Sequence, residues 1–264
     1  MINIFQARYA AGEKISVVTC YDYTFARIMN NSDIDCLLVG DSLGMVIQGN
    51  SSTLPVTVED IIYHTRAVRR GAPDKMIIAD MPFLSWSSVE NAVLNAGRIM
   101  AEGGCDAVKI EGSGEHTLQA IGRMIDAGIP VMGHIGLTPQ SVHTLGGYKV
   151  QGKTEDQAEK LKLAAKKLTE HGVFAILMEM IPGELGKAIT ENAGVPTIGI
   201  GAGQHTSGQV LVIYDLLGLN PDFNPKYLKK YDNLYERIQG TLNNYNKEIK
   251  ENLFPEKTNT FGIS

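Results

Sequence analysis

The sequence predicts an α/β fold, a (β/α)8 TIM barrel, and three observations carry that expectation. Eight short apolar or β-branched runs recur along the 264 residues. They are continuous rather than alternating, as strands covered on both faces are. Segments of helical period separate them, and the length is close to the roughly 250 residues that eight such units occupy. An open doubly wound sheet shares the alternation, but eight units at this length favour closure.

The predicted strands are Ile15–Cys20, Cys36–Val39, Met76–Ala79, Ala107–Ile110, Ile129–Gly133, Val173–Met178, Pro196–Ile200 and Gln209–Tyr214. Before the third, Thr57-Val-Glu-Asp60 can cap a helix in which Val58, Ile61, Ile62, Thr65 and Val68 share a face. Ser87-Ser-Val-Glu90 resembles a capping box for a helix that places Ala92, Val93, Ala96 and Met100 together and ends on Gly103. Thr154-Glu-Asp-Gln157 repeats the device ahead of Leu161, Ala164, Ala165 and Leu168, with Gly172 as the stop. Helical spacing also fits Leu118–Ala127 and Glu184–Asn192. The loop Gly136–Gly152 is long for a plain connector, which suits a lid. The expected organisation is one barrel domain over 1–264 with a helical tail from about residue 221. In that tail Leu234, Ile238 and Leu242 keep helical spacing, so it should pack outside the barrel or against another subunit.

Composition narrows the functional classes. Forty-four per cent hydrophobic residues suffice for a full core. A net charge of −5, with Lys and Arg spread along the chain, argues against nucleic acid and against a membrane surface as partner. The start, MINIFQARYAAGEKIS, has no apolar signal region, and no run approaches the about 18 residues needed to cross a bilayer. A cytoplasmic enzyme is the expectation. Cys20, Cys36 and Cys105 lack ligand-like spacing and read as reduced thiols. Cys20 lies near a strand end, but no basic neighbour marks it as a nucleophile.

The strand ends carry the chemistry, since a parallel barrel assembles its site there. They present Asp22, Asp41-Ser42, Asp80, Lys109 with Glu111, His134, Glu179, the loop GIGAGQ, and Asp215. A single Asp after a strand is commonly a helix cap or turn former, which is the reading kept for Asp22 and Asp215. Asp41, Asp80 and Glu111 differ because they close three successive strands. Side chains two apart on a strand point the same way, so Lys109 and Glu111 share a side. Three carboxylates in one quadrant resist ionising unless cations join them. Lys109 can answer one of the three. Oxygen ligands without Cys or a His pair then suggest Mg²⁺ or a similar ion, with positions open for substrate. His134, in GHIGLTP, is open to either a structural role or substrate contact. Glu179, in ILMEMIPGE, sits among apolar neighbours, a setting that suits a general base near neutrality. GIGAGQHTSG can cradle an anion on backbone N–H groups, although such loops are common. Tyr63-His64-Thr-Arg66 with Arg69-Arg70 reads as a solvated or inter-subunit helix face.

GDSLGMVIQG, TLPVTVEDIIYHTRAVRRGA, DMPFLS, VKIEG, GHIGLTPQSVHTLGGYKVQG and GIGAGQHTSGQVLV run in order between about Cys20 and Leu219. Together they resemble the ketopantoate hydroxymethyltransferase family. The tail departs from the family's usual ending at Pro255-Glu-Lys-Thr-Asn-Thr-Phe261. The resemblance implies a barrel of the phosphoenolpyruvate/pyruvate superfamily, assembled as a homodecamer. It implies one Mg²⁺ per subunit on Asp41 and Asp80, with Glu111 at the same metal site through water. It also implies a 2-oxoacid held by Asp41, Ser42, Asp80 and Lys109, and catalytic places for Glu179 and His134.

The implied reaction passes a hydroxymethyl group from the co-substrate 5,10-methylenetetrahydrofolate to 3-methyl-2-oxobutanoate. The product is ketopantoate, formed through a Mg-stabilised enolate in the first step of pantothenate synthesis. Either Glu179 or His134 can be the proton-abstracting base. An isocitrate-lyase-like enzyme is the nearest rival, but the Lys-Lys-Cys-Gly-His setting of its nucleophile is absent. A non-catalytic barrel would be expected to lose strand-end carboxylates, and all of these are present.

Overall fold

A computed structural model of the chain describes residues 2–262. The chain divides into two compact units at Val212/Ile213. In the first, α1 (Asn3–Ala11) precedes β1 (Ile15–Thr19), α2 (Tyr23–Asn30) and β2 (Cys36–Val39). The short α3 (Leu43–Val46) and α4 (Val58–Gly71) lead to β3 (Met76–Asp80), and α5 (Val89–Arg98) leads to β4 (Ala107–Glu111). Then α6 (Glu115–Asp126) precedes β5 (Val131–Gly136), and α7 (Glu155–Glu170) precedes β6 (Ala175–Glu179). Finally α8 (Gly183–Ala193) precedes β7 (Thr197–Ile200), which a loop joins to β8 (Gly208–Leu211). The strands pair in parallel from β1 to β8, and β8 returns to β1, so the expected eight-stranded barrel is closed. In the second unit, α9 (Ile213–Leu216) is followed by α10 (Leu234–Lys250).

Six of the eight strands bury every residue or all but the last, which is why they read as unbroken apolar runs. Where a strand differs from its predicted span, its neighbours decide. Ile129 N–H turns back to Met124 O at the end of α6, so β5 starts two residues late. It runs on to Gly136 because pairing with β6 continues to Gly136↔Glu179. His134 therefore lies within β5, opposite Glu111. The last strand stops at Leu211, where pairing with Val18 of β1 ends, and Asp215 falls inside α9.

Capping explains the helix starts. Thr57 and Asp60 form the reciprocal box at α4, with Asp60 N–H donating to Thr57 Oγ1 at 3.1 Å and Thr57 N–H to Asp60 Oδ2 at 2.9 Å. At α5 the cap is Ser88 rather than Ser87. That helix widens into a π turn over Ile99–Gly103, so the left-handed stop falls one residue late, on Gly104. Thr154 caps α7, but Gln157 Oε1 accepts from Lys153 N–H instead of completing the box. Arg69 of α4 is not merely a solvated face. Its guanidinium donates to the carbonyls of Gly104 and Lys75 and pairs with Asp106 at 2.6 Å, while Asp106 also accepts from Ile77 N–H. It ties the starts of β3 and β4.

Candidate active site at the strand ends

Gly133 fixes which way β5 faces. A Cβ there would lie 2.8 Å from Leu168 of α7, so Gly133 looks toward the helices and its neighbours Met132 and His134 look along the barrel axis. On that same side the strand register sets Asp80 opposite Lys109 and Glu111 opposite His134. The structure thus brings Asp41, Asp80, Lys109, Glu111, His134 and Glu179 into one cluster.

Asp80 is its hinge. Its Oδ1 pairs with Lys109 Nζ at 2.9 Å, and its Oδ2 accepts the N–H of Asp41 at 2.9 Å. Gly40 permits that approach, because a Cβ there would meet Ser42 Oγ at 2.7 Å and Asp80 Oδ2 at 3.5 Å. Ser42 Oγ in turn shares a hydrogen bond of 2.8 Å with Tyr21 Oη. On its other side Lys109 Nζ reaches His134 Nδ1 at 3.3 Å. Nδ1 also lies 3.4 Å from Glu111 Oε1, but the 3.3 Å contact with an ammonium, which only donates, makes Nδ1 the acceptor and leaves the ring proton on Nε2. That nitrogen faces Glu179 Oε2 at 3.4 Å. Burial, then Lys109, holds the imidazole below its ordinary pKa, so His134 is neutral near pH 7.

The end of β6 is aimed by close packing. A Cβ on Gly136, whose φ is 96°, would strike the carbonyl of Glu179, and Leu137 N–H donates to that carbonyl at 2.8 Å. Met180 follows with φ 46°, a conformation that costs a non-glycine residue about 1–3 kcal/mol and is held here by its N–H bond to Ile200 O.

The carboxylates are short of positive charge. Burial, then Asp80 and Glu111, pushes Asp41 well above its usual value, with only partial relief from Lys109 and Gln140. Burial also lifts Glu111 to about 7, reinforced by Asp80 and eased by Lys109. Burial would lower Lys109, but Asp80, Glu111 and Asp41 outweigh it and hold the ammonium protonated. Asp41, Asp80 and Glu111 set against the Lys109 ammonium leave two negative charges if all ionise, the complement of a divalent cation. Glu111 Oε1 is buried without a hydrogen bond among the described residues, 3.4 Å from His134 Nδ1. These hard oxygens fit an ion of the Mg²⁺ type. Among the described residues no three acidic, His or Cys side chains converge as a ready cage. An ion there would therefore keep few protein ligands and complete its shell with water or substrate oxygens, as Mg²⁺ commonly does.

One residue of this cluster escaped the sequence reading. The loop after β5 makes a 3-10 turn over Pro139–Ser141 that inserts Gln140 among the carboxylates. Its Nε2 donates to Asp41 Oδ2 at 2.6 Å and to Met81 O at 3.0 Å, and its backbone N–H donates to Glu111 Oε2 at 3.1 Å. The proline that opens the turn, one residue after Thr138, was the available signal. Farther along the loop, Tyr148 Oη lies 3.7 Å from Met45 Sδ, and burial, then Glu179, Asp41 and Glu111, raises its phenol.

Other candidates serve the scaffold. Asp22 caps α2 by accepting from Phe25 N–H, and the Cys20 thiol is buried and pushed up to about 12, unsuited to nucleophilic attack. In GIGAGQ, Gly203 packs directly on Gly183 at the start of α8. No helix among the described residues is long and apolar enough to cross a membrane.

Known proteins give this geometry a lineage. The profile of the family described as ketopantoate hydroxymethyltransferase matches residues 1–257. A 3-methyl-2-oxobutanoate hydroxymethyltransferase from Leptospira biflexa is 57% identical over 258 residues, covering 97% of this chain and 96% of that protein. Among solved structures, phosphonopyruvate hydrolase complexed with oxalate and Mg²⁺ aligns with a TM-score of 0.65 at 9% identity, over 99% of this chain and 92% of its own. A 2,3-dimethylmalate lyase of the PEP mutase/isocitrate lyase superfamily aligns at 0.63 and 13% identity, over 98% and 91%. The two structures share the barrel. The profile match and the identity to the Leptospira enzyme go further: this chain is an enzyme of the ketopantoate hydroxymethyltransferase family.

Proposed function

We propose that the chain transfers a hydroxymethyl group from 5,10-methylenetetrahydrofolate to 3-methyl-2-oxobutanoate, giving ketopantoate for pantothenate synthesis. The observation that carries this reading is the buried group Asp41, Asp80, Glu111 and Lys109, short of positive charge, set beside the His134–Glu179 pair. Asp41 and Asp80 would hold the divalent ion, with Glu111 at the same centre, one ion per subunit. When bound, the ion supplies Lewis-acid stabilisation of the charge that develops on the keto oxygen.

The difficult step is loss of the C3 proton next to the ketone. Glu179 takes it, since the neutral His134 presents Nε2–H rather than a lone pair on that side. His134 orients Glu179, its Nε2 lying 3.4 Å from Glu179 Oε2. Lys109 and the Ser42 hydroxyl bind the substrate's carboxylate, Lys109 as a buried charge already balanced by Asp80. The C3 carbon then attacks the methylene carbon. The methylene carbon's two bonds to folate nitrogens are replaced by the new C–C bond and by a hydroxyl from water, and tetrahydrofolate leaves carrying the C3 proton and the second proton of that water. Exposed Ile238, Leu242 and Ile249 on α10 suit a subunit contact, in keeping with a cytoplasmic homo-oligomer, a homodecamer by family likeness.

Solvent deuterium exchange at C3 of 3-methyl-2-oxobutanoate, followed by NMR without folate, tests the reading. Exchange that requires Mg²⁺ and stops with EDTA is expected. No exchange with any divalent ion would refute it.

A further inference from the structure

Gln140 is 6% exposed, and its amide makes an unusual set of contacts. Nε2 has two hydrogens, and Asp41 Oδ2 and Met81 O take both. That fixes the orientation of the carboxamide, because the flipped form would set Oε1 against two acceptors. Oε1 therefore points the other way, and it is buried with no partner among the described residues. The backbone N–H of the same residue occupies Glu111 Oε2 and leaves Glu111 Oε1 without a hydrogen bond, 3.4 Å from a His134 Nδ1 that itself accepts from Lys109. One residue of the loop after β5 thus contacts the chain just beyond β2, just beyond β3 and at the end of β4.

We propose that Gln140 is the positioning residue that decides which oxygens of Asp41 and Glu111 face the divalent cation. The proposal rests on the cation reading above. By engaging Oδ2 of Asp41 and Oε2 of Glu111, Gln140 leaves one oxygen of each carboxylate available, so neither can chelate in a bidentate manner. Its amide is neutral, so it organises the carboxylates without consuming the negative charge that attracts the ion. An Arg or Lys in its place would make similar hydrogen bonds and neutralise the site. The free Oε1 gives a hydrogen-bond acceptor to a water in the ion's shell, a group that donates and that no protein atom supplies. The same bonds tie the loop to the site, so the order of Pro139–Ser141 depends on the carboxylates it serves.

The test is Mg²⁺ binding by titration calorimetry on the full chain, comparing wild type with Gln140→Met and Gln140→Asn. Melting temperature in EDTA is the control for folding. Outer-shell partners of metal ligands commonly contribute 10- to 100-fold in affinity, so Gln140→Met is expected to weaken Mg²⁺ by that range while the fold is retained. Gln140→Asn keeps the charge and the backbone N–H but is one methylene too short to reach Asp41 Oδ2 and Met81 O. It too should weaken Mg²⁺ at least tenfold, and it decides the question if the Met variant fails to fold. A purely structural role would lower the melting temperature in EDTA and leave the affinity unchanged. Wild-type affinity in the Asn variant overturns the role of Gln140 alone. Absence of Mg²⁺ binding to the wild-type protein overturns the cation reading and this inference with it.

Discussion

Glu111→Gln should stabilise the metal-free protein, and the gain should depend on pH. Moving a buried carboxyl from 4.5 to about 7 makes its ionisation cost the folded chain about 3 kcal/mol that the unfolded chain does not incur. Below about pH 4.5 both states hold the proton and the penalty is absent. Between 4.5 and 7 the folded state binds more protons than the unfolded one, so stability falls as pH rises. Above 7 the penalty is complete. The amide of the variant does not ionise, yet it can still accept the N–H of Gln140 that now reaches Glu111 at 3.1 Å. The variant should therefore melt increasingly above wild type as pH rises from 5 to 8.5, by roughly 6–12 °C at the top for a chain of this size. Scanning calorimetry in EDTA reads this directly. Mg²⁺ should narrow the gap by supplying wild type with the missing charge. A gap that stays constant with pH, or a variant less stable throughout, would refute the account of carboxylates crowded around too little positive charge.

Lys109→Met should cost about 3–5 kcal/mol in denaturant unfolding, more at pH 8 than at pH 6, because it strands Asp80 without its partner at 2.9 Å. Mg²⁺ added near pH 7 should release protons, seen as a buffer-dependent calorimetric heat, and its affinity should fall as pH drops below about 7, where Glu111 holds its proton. Glu179→Gln should abolish C3 exchange yet keep Mg²⁺ affinity within a few-fold; normal exchange would reassign the base. Gly136→Ala should lower both melting temperature and exchange rate, since its Cβ meets the Glu179 carbonyl at a φ of 96°.

Much of this protein is legible along the chain because burial on two faces writes a strand as an unbroken apolar run. Cys36–Val39 and the strand starts at Ile15, Met76 and Ala107 follow from that alone. The charged residues that close those runs are legible for the same reason, since an Asp or Lys after a buried strand has to be answered by something. What a linear reading misses are the partners brought in from elsewhere. Strand limits at β5 and β8 depend on how far the neighbouring strands pair. The switch from α to π geometry at Ile99 leaves no local mark strong enough to move its cap.

The chain order by itself determined the barrel, the set of ionisable residues at its mouth and the likeness to one family, because these depend on local periodicity and residue type. Only the folded molecule decided how those groups share charge. Lys109 is committed to Asp80, His134 presents its Nε2 proton to Glu179, and a neutral glutamine 99 positions from Asp41 donates to its carboxylate. Electrostatics and hydrogen bonds act through distance in space, and a sequence records that distance only after the strands have closed.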